Sequence, residues 1–315
     1  MCTAIMYQTK GAYFGRNLDL EYSYEESVVI TPRCFPLSFR FRQTKSEHYA
    51  MIGAAYVKDG YPLYFDAMNE KGIGMAGLAF QDNAFYGKVE EGRDNITPYE
   101  FIPWVLSQCA TIEEVRELLT RLRLVDVPFS EELPNMPLHF MISDGKRAIV
   151  VEPLAEGVRF YENPIGVLTN NPPFPYQLLN LSNYMRLTRK RPETTFSEGL
   201  ELEVYSRGMG GIGLPGDLSS QSRFVRAAFV RMNSVSGDSE KESVNQFFHI
   251  LTSVEQQKGC VQLEENVYEY TMYSSCCSLS RGIYYYTTYE NRAIRAVDMR
   301  SADLRGNTLT LTGLK

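Results

Sequence analysis

Alternation of apolar with polar or small residues marks the first twenty positions as two strand arms. TAIMYQT runs to Lys10-Gly11, a turn signal, and AYFGRNLDL returns after it. The period of two recurs at 26–31 (ESVVIT, stopped by Pro32), at 49–57 and 61–68 across Asp59-Gly60, and at 73–80 after a turn at 69–72. The pattern then becomes helical. Thr97-Pro98-Tyr99-Glu100 sets Pro at the first helical position and Glu at capping-box distance, predicting a helix to about Gln108. Thr111 with Glu114 predicts a second helix to about Leu124. Strands are expected at 138–143, 147–153, 158–161 and 165–169, and a short helix near 177–186. An irregular stretch covers 187–218, helices occupy 219–233 and 241–257, and strands return at 267–278, 283–289 and 293–299. Strand runs at both ends with helices grouped between them imply an α+β fold of two antiparallel sheets with helices outside, in one domain spanning 1–315.

Composition narrows the class. Of 315 residues, 44% are hydrophobic and 22% charged, the balance of a globular chain. No apolar run approaches the ~18 residues of a membrane span, and no basic segment followed by an apolar one opens the chain. The expectation is a cytoplasmic protein with no membrane partner, its six cysteines (2, 34, 109, 260, 276 and 277) kept as free thiols. A net charge of −6 argues against nucleic acid, and an anionic substrate would need a local cation. The histidines His48, His139 and His249 show no ligand spacing, so no metal is expected, and His139 between Leu138 and Phe140 reads as a satisfied core residue. The run 208–213 matches GxGxxG, but Leu214-Pro215-Gly216 breaks any helix after it, which excludes a dinucleotide fingerprint. No cofactor is expected.

The chemistry is concentrated at Met1-Cys2. A small second residue permits removal of Met1, after which Cys2 carries a thiol and a free α-amine within one residue. An α-amine titrates near ~7.7–8.0 and a thiol near ~8.5, so the amine can accept the thiol proton at neutral pH. A hairpin turning at Lys10-Gly11 brings Arg16 and Asp19 back towards Cys2. There an Arg⁺ favours a thiolate and an Asp⁻ can hold the new ammonium. The plainer alternative is a surface Arg–Asp pair of little worth.

Taken together, MCTAI, FGRNLD (14–19), MNEKGIGMAGL (68–78), VLTNNP (167–172), GLPGD (213–217) and SRF (222–224) resemble the choloylglycine hydrolases. These N-terminal-nucleophile hydrolases include bile salt hydrolases and penicillin V acylases, and the likeness is nearer to bile salt hydrolases of Gram-positive gut bacteria. The resemblance implies a four-layer αββα sandwich, a homotetramer joined through 187–217, and hydrolysis of glycine- or taurine-conjugated bile salts through an acyl-enzyme on Cys2. Alternatives are a penicillin V acylase, an amino-acid acyltransferase on the same site, or an inactive binding member of the fold. It also implies roles residue by residue. Arg16 and Asp19 stand beside the nucleophile, Asn170 and the backbone N–H of Ala79 form the oxyanion hole, and Arg223 completes the polar cluster. Ala79 departs from the Asn or Tyr of many relatives, which removes any side-chain contact to substrate there. Leu18, Phe65, Phe129 and Leu133 match acyl-pocket positions. Arg207, at the head of the glycine-rich loop, is expected to face the amino-acid end of the substrate and to favour taurine over glycine.

Overall fold

The computed structural model describes residues 1–314, and in it two antiparallel sheets lie face to face. The first sheet runs Val167–Leu168, Cys2–Gln8, Ala12–Leu20, Val267–Ser278, Ile283–Thr288 and Arg295–Asp298, with Val261–Glu264 also paired to the long strand Val267–Ser278. The second runs Gly157–Glu162, Ala148–Leu154, Leu138–Ser143, Gly74–Ala79, Tyr61–Asn69, Met51–Lys58, Ser27–Thr31 and Thr310–Gly313. The period of two decides which side chains meet. Ala4, Met6, Phe14 and Leu18 of the first sheet share one buried cluster with Ile52, Ala54, Met68, Ala76 and Leu78 of the second. Gly74 lets the sheets approach: a Cβ there would stand 2.6 Å from the Phe14 ring.

Helices cover the outer faces. α1 (Phe101–Leu106) and α2 (Ile112–Leu119) lay Ile102, Val105, Ile112 and Val115 on the second sheet, against Met51, Ala67, Met75 and Phe140. α3 (Phe174–Asn180) follows the strand Val167–Leu168; α4 (Ser220–Asn233) and α5 (Glu240–Thr252) cover the first sheet with Phe224, Ala228, Phe247 and Leu251. The order is helix, sheet, sheet, helix, as expected. The first expected helix is a single turn of 3-10 helix (Pro98–Glu100) running into α1, with the Glu100 carboxylate accepting the Thr97 N–H at 3.0 Å.

Two helix ends differ from expectation for tertiary reasons. The second helix stops at Leu119, and Leu122–Leu124 instead pairs in parallel with Asp94–Ile96. The last helix stops at Thr252 rather than near Gln257. The chain leaves it so that Gln256 can dock on the first sheet, its N–H on Thr271 Oγ1 (2.9 Å) and its carbonyl on the Thr271 N–H (3.0 Å). Among the described residues no helix is long and apolar enough to cross a membrane.

Candidate active site

The N-terminal hairpin sets the site. Its register pairs Cys2 with Leu18 and Ala4 with Arg16, so Cys2 and Arg16 project from the same face of the sheet. The Arg16 Nη2 donates to Cys2 Sγ. The rest of the guanidinium donates to carbonyls: Phe65 O at 3.1 Å, Asn17 O at 3.3 Å, and Gly77 O. Phe65 and Gly77 belong to the second sheet, so one cation ties the two sheets together under the thiol. Burial works against the Arg16 charge, but the Cys2 sulfur, Tyr273, Asp66 and Asp19 overcome it and hold the guanidinium above its ordinary value.

A second arginine arrives from the opposite side of the sheet. Arg223, on the first turn of α4, donates to Cys2 O (2.6 Å), Thr3 Oγ1 (2.6 Å) and Asn170 Oδ1 (2.7 Å). Being 1% exposed, it is pushed below its usual value by burial, with Asp19, Cys2 and Glu269 opposing. The Cys2 backbone N–H donates to the same Asn170 Oδ1 at 2.9 Å, and Asn170 Nδ2 donates to Ala79 O at 2.8 Å. Asn170 Oδ1 is therefore fixed by two donors, and one of the two Nδ2 hydrogens is left for another acceptor. Met1 is attached in this chain. Its ammonium bonds to the Glu269 carboxylate and, at 3.1 Å, to Asp19 O.

Asp19 lies at the same cleft as Cys2 and Arg16. Its carboxylate is 4.0 Å from Arg223 Nη1 and accepts from Thr271 Oγ1 (2.6 Å) and Gln256 Nε2 (3.2 Å). With Met1 attached, the single hydrogen of the Cys2 amide goes to Asn170 Oδ1. Asp19 has the opposite strand parity from Arg16 and so points to the helix side of the sheet, where it serves Arg223.

Above Cys2 opens a cleft of about 430 Å³, within the range of small-molecule sites. Leu18, Phe65, Phe129 and Leu133 all line it, as does Ala79 at its floor. Phe129 is held by its own segment's tether: Arg40 Nη2 donates to Phe129 O (2.7 Å) and Arg40 Nε to Tyr99 Oη (3.0 Å), while Tyr99 packs edge-on to the Phe129 ring. Arg207 is the expected residue that stays away. It is exposed and does not line the cleft. Gly208 (φ 80°) turns its loop into a 3-10 turn, Met209–Gly211, and Gly210 O accepts the Thr188 N–H at 2.9 Å on the outer segment. Arg207 thus contributes nothing to the wall of this chain's own cleft, contrary to the expected contact with the amino-acid end of the substrate. Conversely, Thr3, Gln256, Glu269 and Thr271 were not anticipated. Glu269 and Thr271 are buried polar residues two apart on one strand, a pattern that marks a polar face in sequence.

The chain matches the family model of linear amide C-N hydrolases, choloylglycine hydrolase family, over residues 2–312. It belongs to the choloylglycine hydrolase family. It is 54% identical to a bile salt hydrolase/transferase of Lactiplantibacillus plantarum over 304 residues, 96% of this chain and 94% of that one. It is 41% identical to a bile salt hydrolase/transferase of Clostridium perfringens over 316 residues, 98% of this chain and 95% of that one. A crystal structure of a conjugated bile acid hydrolase variant from Clostridium perfringens superposes with TM-score 0.91 at 39% identity, covering 100% of this chain and 97% of that one. Penicillin V acylase from Agrobacterium tumefaciens shares the fold, with TM-score 0.78 at 19% identity over 98% and 90% of the two chains.

Proposed function

We propose that this choloylglycine hydrolase cleaves the amide bond of conjugated bile salts with Cys2, after Met1 is removed. The observation that carries the proposal is the division of Cys2 between two arginine-centred environments at the floor of an apolar cleft. Its sulfur faces Arg16, and its nitrogen faces Asn170 Oδ1, which Arg223 holds. While Met1 is attached that nitrogen is an amide and has no basic lone pair. Freed, it takes the thiol proton, and Asn170 Oδ1 accepts from the resulting ammonium. The sulfur attacks the substrate carbonyl, and the carbonyl oxygen gains the charge. The spare Nδ2 hydrogen of Asn170 and the Ala79 N–H receive it. The Phe80 N–H donates to Pro137 O on the neighbouring strand, so by strand alternation the Ala79 N–H is directed away from that partner. The C–N bond then breaks, the amine leaves with the proton held by the Cys2 ammonium, and a thioester remains. Water attacks the thioester, releasing the free acid and restoring the thiol.

The relatives' names supply the acyl group, and the cleft suits it. Phe65, Phe129, Leu18 and Leu133 offer an apolar wall of the kind a steroid needs. An amine in place of water would turn the same thioester to acyl transfer, in keeping with the name of the Lactiplantibacillus relative. The free thiols support a cytoplasmic setting. A homotetramer is part of the proposal: Tyr176, Leu179, Met185, Phe196, Tyr205 and Ile212 are exposed apolar residues clustered in sequence around 187–217. No taurine preference is proposed from Arg207.

The test is release of glycine from glycocholate and taurine from taurocholate, with penicillin V as comparison, alongside intact mass. Active protein should lack the mass of Met1. Cys2→Ala should abolish turnover, and Cys2→Ser should nearly do so, because a hydroxyl is far less ionised than a thiol at neutral pH. Turnover by Cys2→Ala, or by protein that retains Met1, would overturn the proposal.

A further inference from the structure

Behind the cleft, on the inner face of the second sheet, lies a buried imidazole that the mechanism above does not use. His139 and Glu152 are both 0% exposed, among Leu78, Met141 and Val150. Such a pair carries a desolvation cost that two apolar residues of similar volume would avoid, so its contacts are informative. The His139 Nε2 donates to Thr169 O at 2.8 Å, and Nδ1 is 3.3 Å from Glu152 Oε1. That same carboxylate oxygen accepts the Phe174 N–H at 2.8 Å, at the start of α3. The ring stacks on Phe80 with centroids 4.2 Å apart and planes 8° from parallel.

These contacts run to both members of the oxyanion site. Phe80 follows Ala79, and His139 is the Cα partner of Leu78, which precedes it. Thr169 precedes Asn170. The peptide joining them is held at both ends: its carbonyl by His139 and its N–H, from Asn170, by Ser220 Oγ at 2.9 Å. Thr169 O is an acceptor only, so Nε2 carries a hydrogen. Nδ1 on the other side of the ring faces the Glu152 carboxylate, and the two contacts together fix the ring's orientation. We infer that His139, oriented by Glu152, is a positioning residue that sets the separation between the Ala79 N–H and the Asn170 side chain. It touches neither substrate nor thiol. The inference rests on the proposed amide hydrolysis, because only that reading makes the separation matter.

The experiment measures kcat and KM for glycocholate in the wild type, His139→Phe and Glu152→Gln, each with the rate of Cys2 alkylation by iodoacetamide. Alkylation forms a C–S bond by displacing iodide and develops no oxyanion. His139→Phe keeps the stacking and loses the donor. It should lower kcat about 10- to 100-fold, the scale of a sub-ångström to 1 Å misplacement, with KM and the alkylation rate within about threefold. Glu152→Gln keeps an acceptor for the Phe174 N–H and loosens the ring; kcat should fall, by less than in His139→Phe. This second variant carries the test if His139→Phe does not fold. Wild-type kcat in either folded variant, or an alkylation rate that falls in step with kcat, overturns the inference and leaves the proposed function standing. A wild-type protein that releases no glycine overturns both.

Discussion

Cys2 carries two reactive atoms, its nitrogen and its sulfur, and their surroundings differ although only three bonds separate them. The sulfur meets a guanidinium with three further donors on carbonyls, so Arg16 cannot swing away without breaking contacts to both sheets. The nitrogen meets an amide oxygen that Arg223 already fixes. In the proposed mechanism Asn170 serves both atoms' chemistry, through Oδ1 for the nitrogen and Nδ2 for the developing oxyanion. Asn170→Ala should lower kcat by about 10²–10³, the usual effect of losing one oxyanion donor; a loss under tenfold in steady-state kinetics would contradict this role. The other thiols divide by burial. Burial pushes Cys109 up to about 12 and raises Cys276 and Cys277 well above the ordinary thiol range, whereas Cys34 and Cys260 are exposed. Peptide mass spectrometry after brief iodoacetamide treatment near pH 8 should find label on Cys2, Cys34 and Cys260. Label on Cys276 in folded protein would count against this packing.

At the scale of elements, the strand Gly74–Ala79 has two tasks. Its inner positions 74, 76 and 78 are small or apolar and let the first sheet lie close, and its end brings Ala79 to the cleft floor. A methyl side chain there leaves the carbonyl to Asn170 and, in the proposed mechanism, the N–H to the substrate. Ala79→Asn should accordingly alter KM and the preference among acyl groups more than kcat. A uniform rise of kcat by orders of magnitude on every substrate would show the native site to be impaired. The segment bearing Phe129 and Leu133 works differently: it lacks regular structure, and its place over the cleft depends on Arg40 and Tyr99 from elsewhere in the chain.

At the scale of the molecule, the site depends on an assembly of distant pieces. Cys2 comes from the first strand, Arg223 from α4, Asn170 from the turn before α3, and the Arg16 acceptors from the second sheet. Outside this core, the segment 185–212 exposes large apolar side chains, with Met185, Phe196 and Tyr205 each more than 80% exposed. Isolated chains rarely leave such a set uncovered. Light scattering of the wild type should give about four times the chain mass, and a Phe196→Asp, Tyr205→Asp variant should give a smaller particle. A wild type that runs as a monomer would reject the tetramer.

The local pattern by itself determined the longer strands of both sheets, the Lys10-Gly11 turn and the capped helix starts at Thr97 and Thr111, because strand alternation, turn residues and caps act over a few positions, but not the short sheet members Val261–Glu264 and Thr310–Gly313. It also determined the buried, satisfied character of His139, and the likeness of short motifs pointed to Cys2, Arg16, Asn170 and Arg223 as one group. Strands of three or four residues, such as Asp94–Ile96 and Leu122–Leu124, escaped it because so few positions cannot establish a period of two. Only the tertiary structure decided that Asn170 Oδ1 takes the Cys2 amide hydrogen and that the Asp19 carboxylate lies by Thr271 and Gln256, 4.0 Å from Arg223. It likewise ended α5 early for Gln256 and turned Arg207 outward. Those outcomes depend on which remote surfaces a side chain or backbone group finds within hydrogen-bond reach, and a hydrogen bond acts over about 3 Å between residues that the sequence keeps tens or hundreds of positions apart.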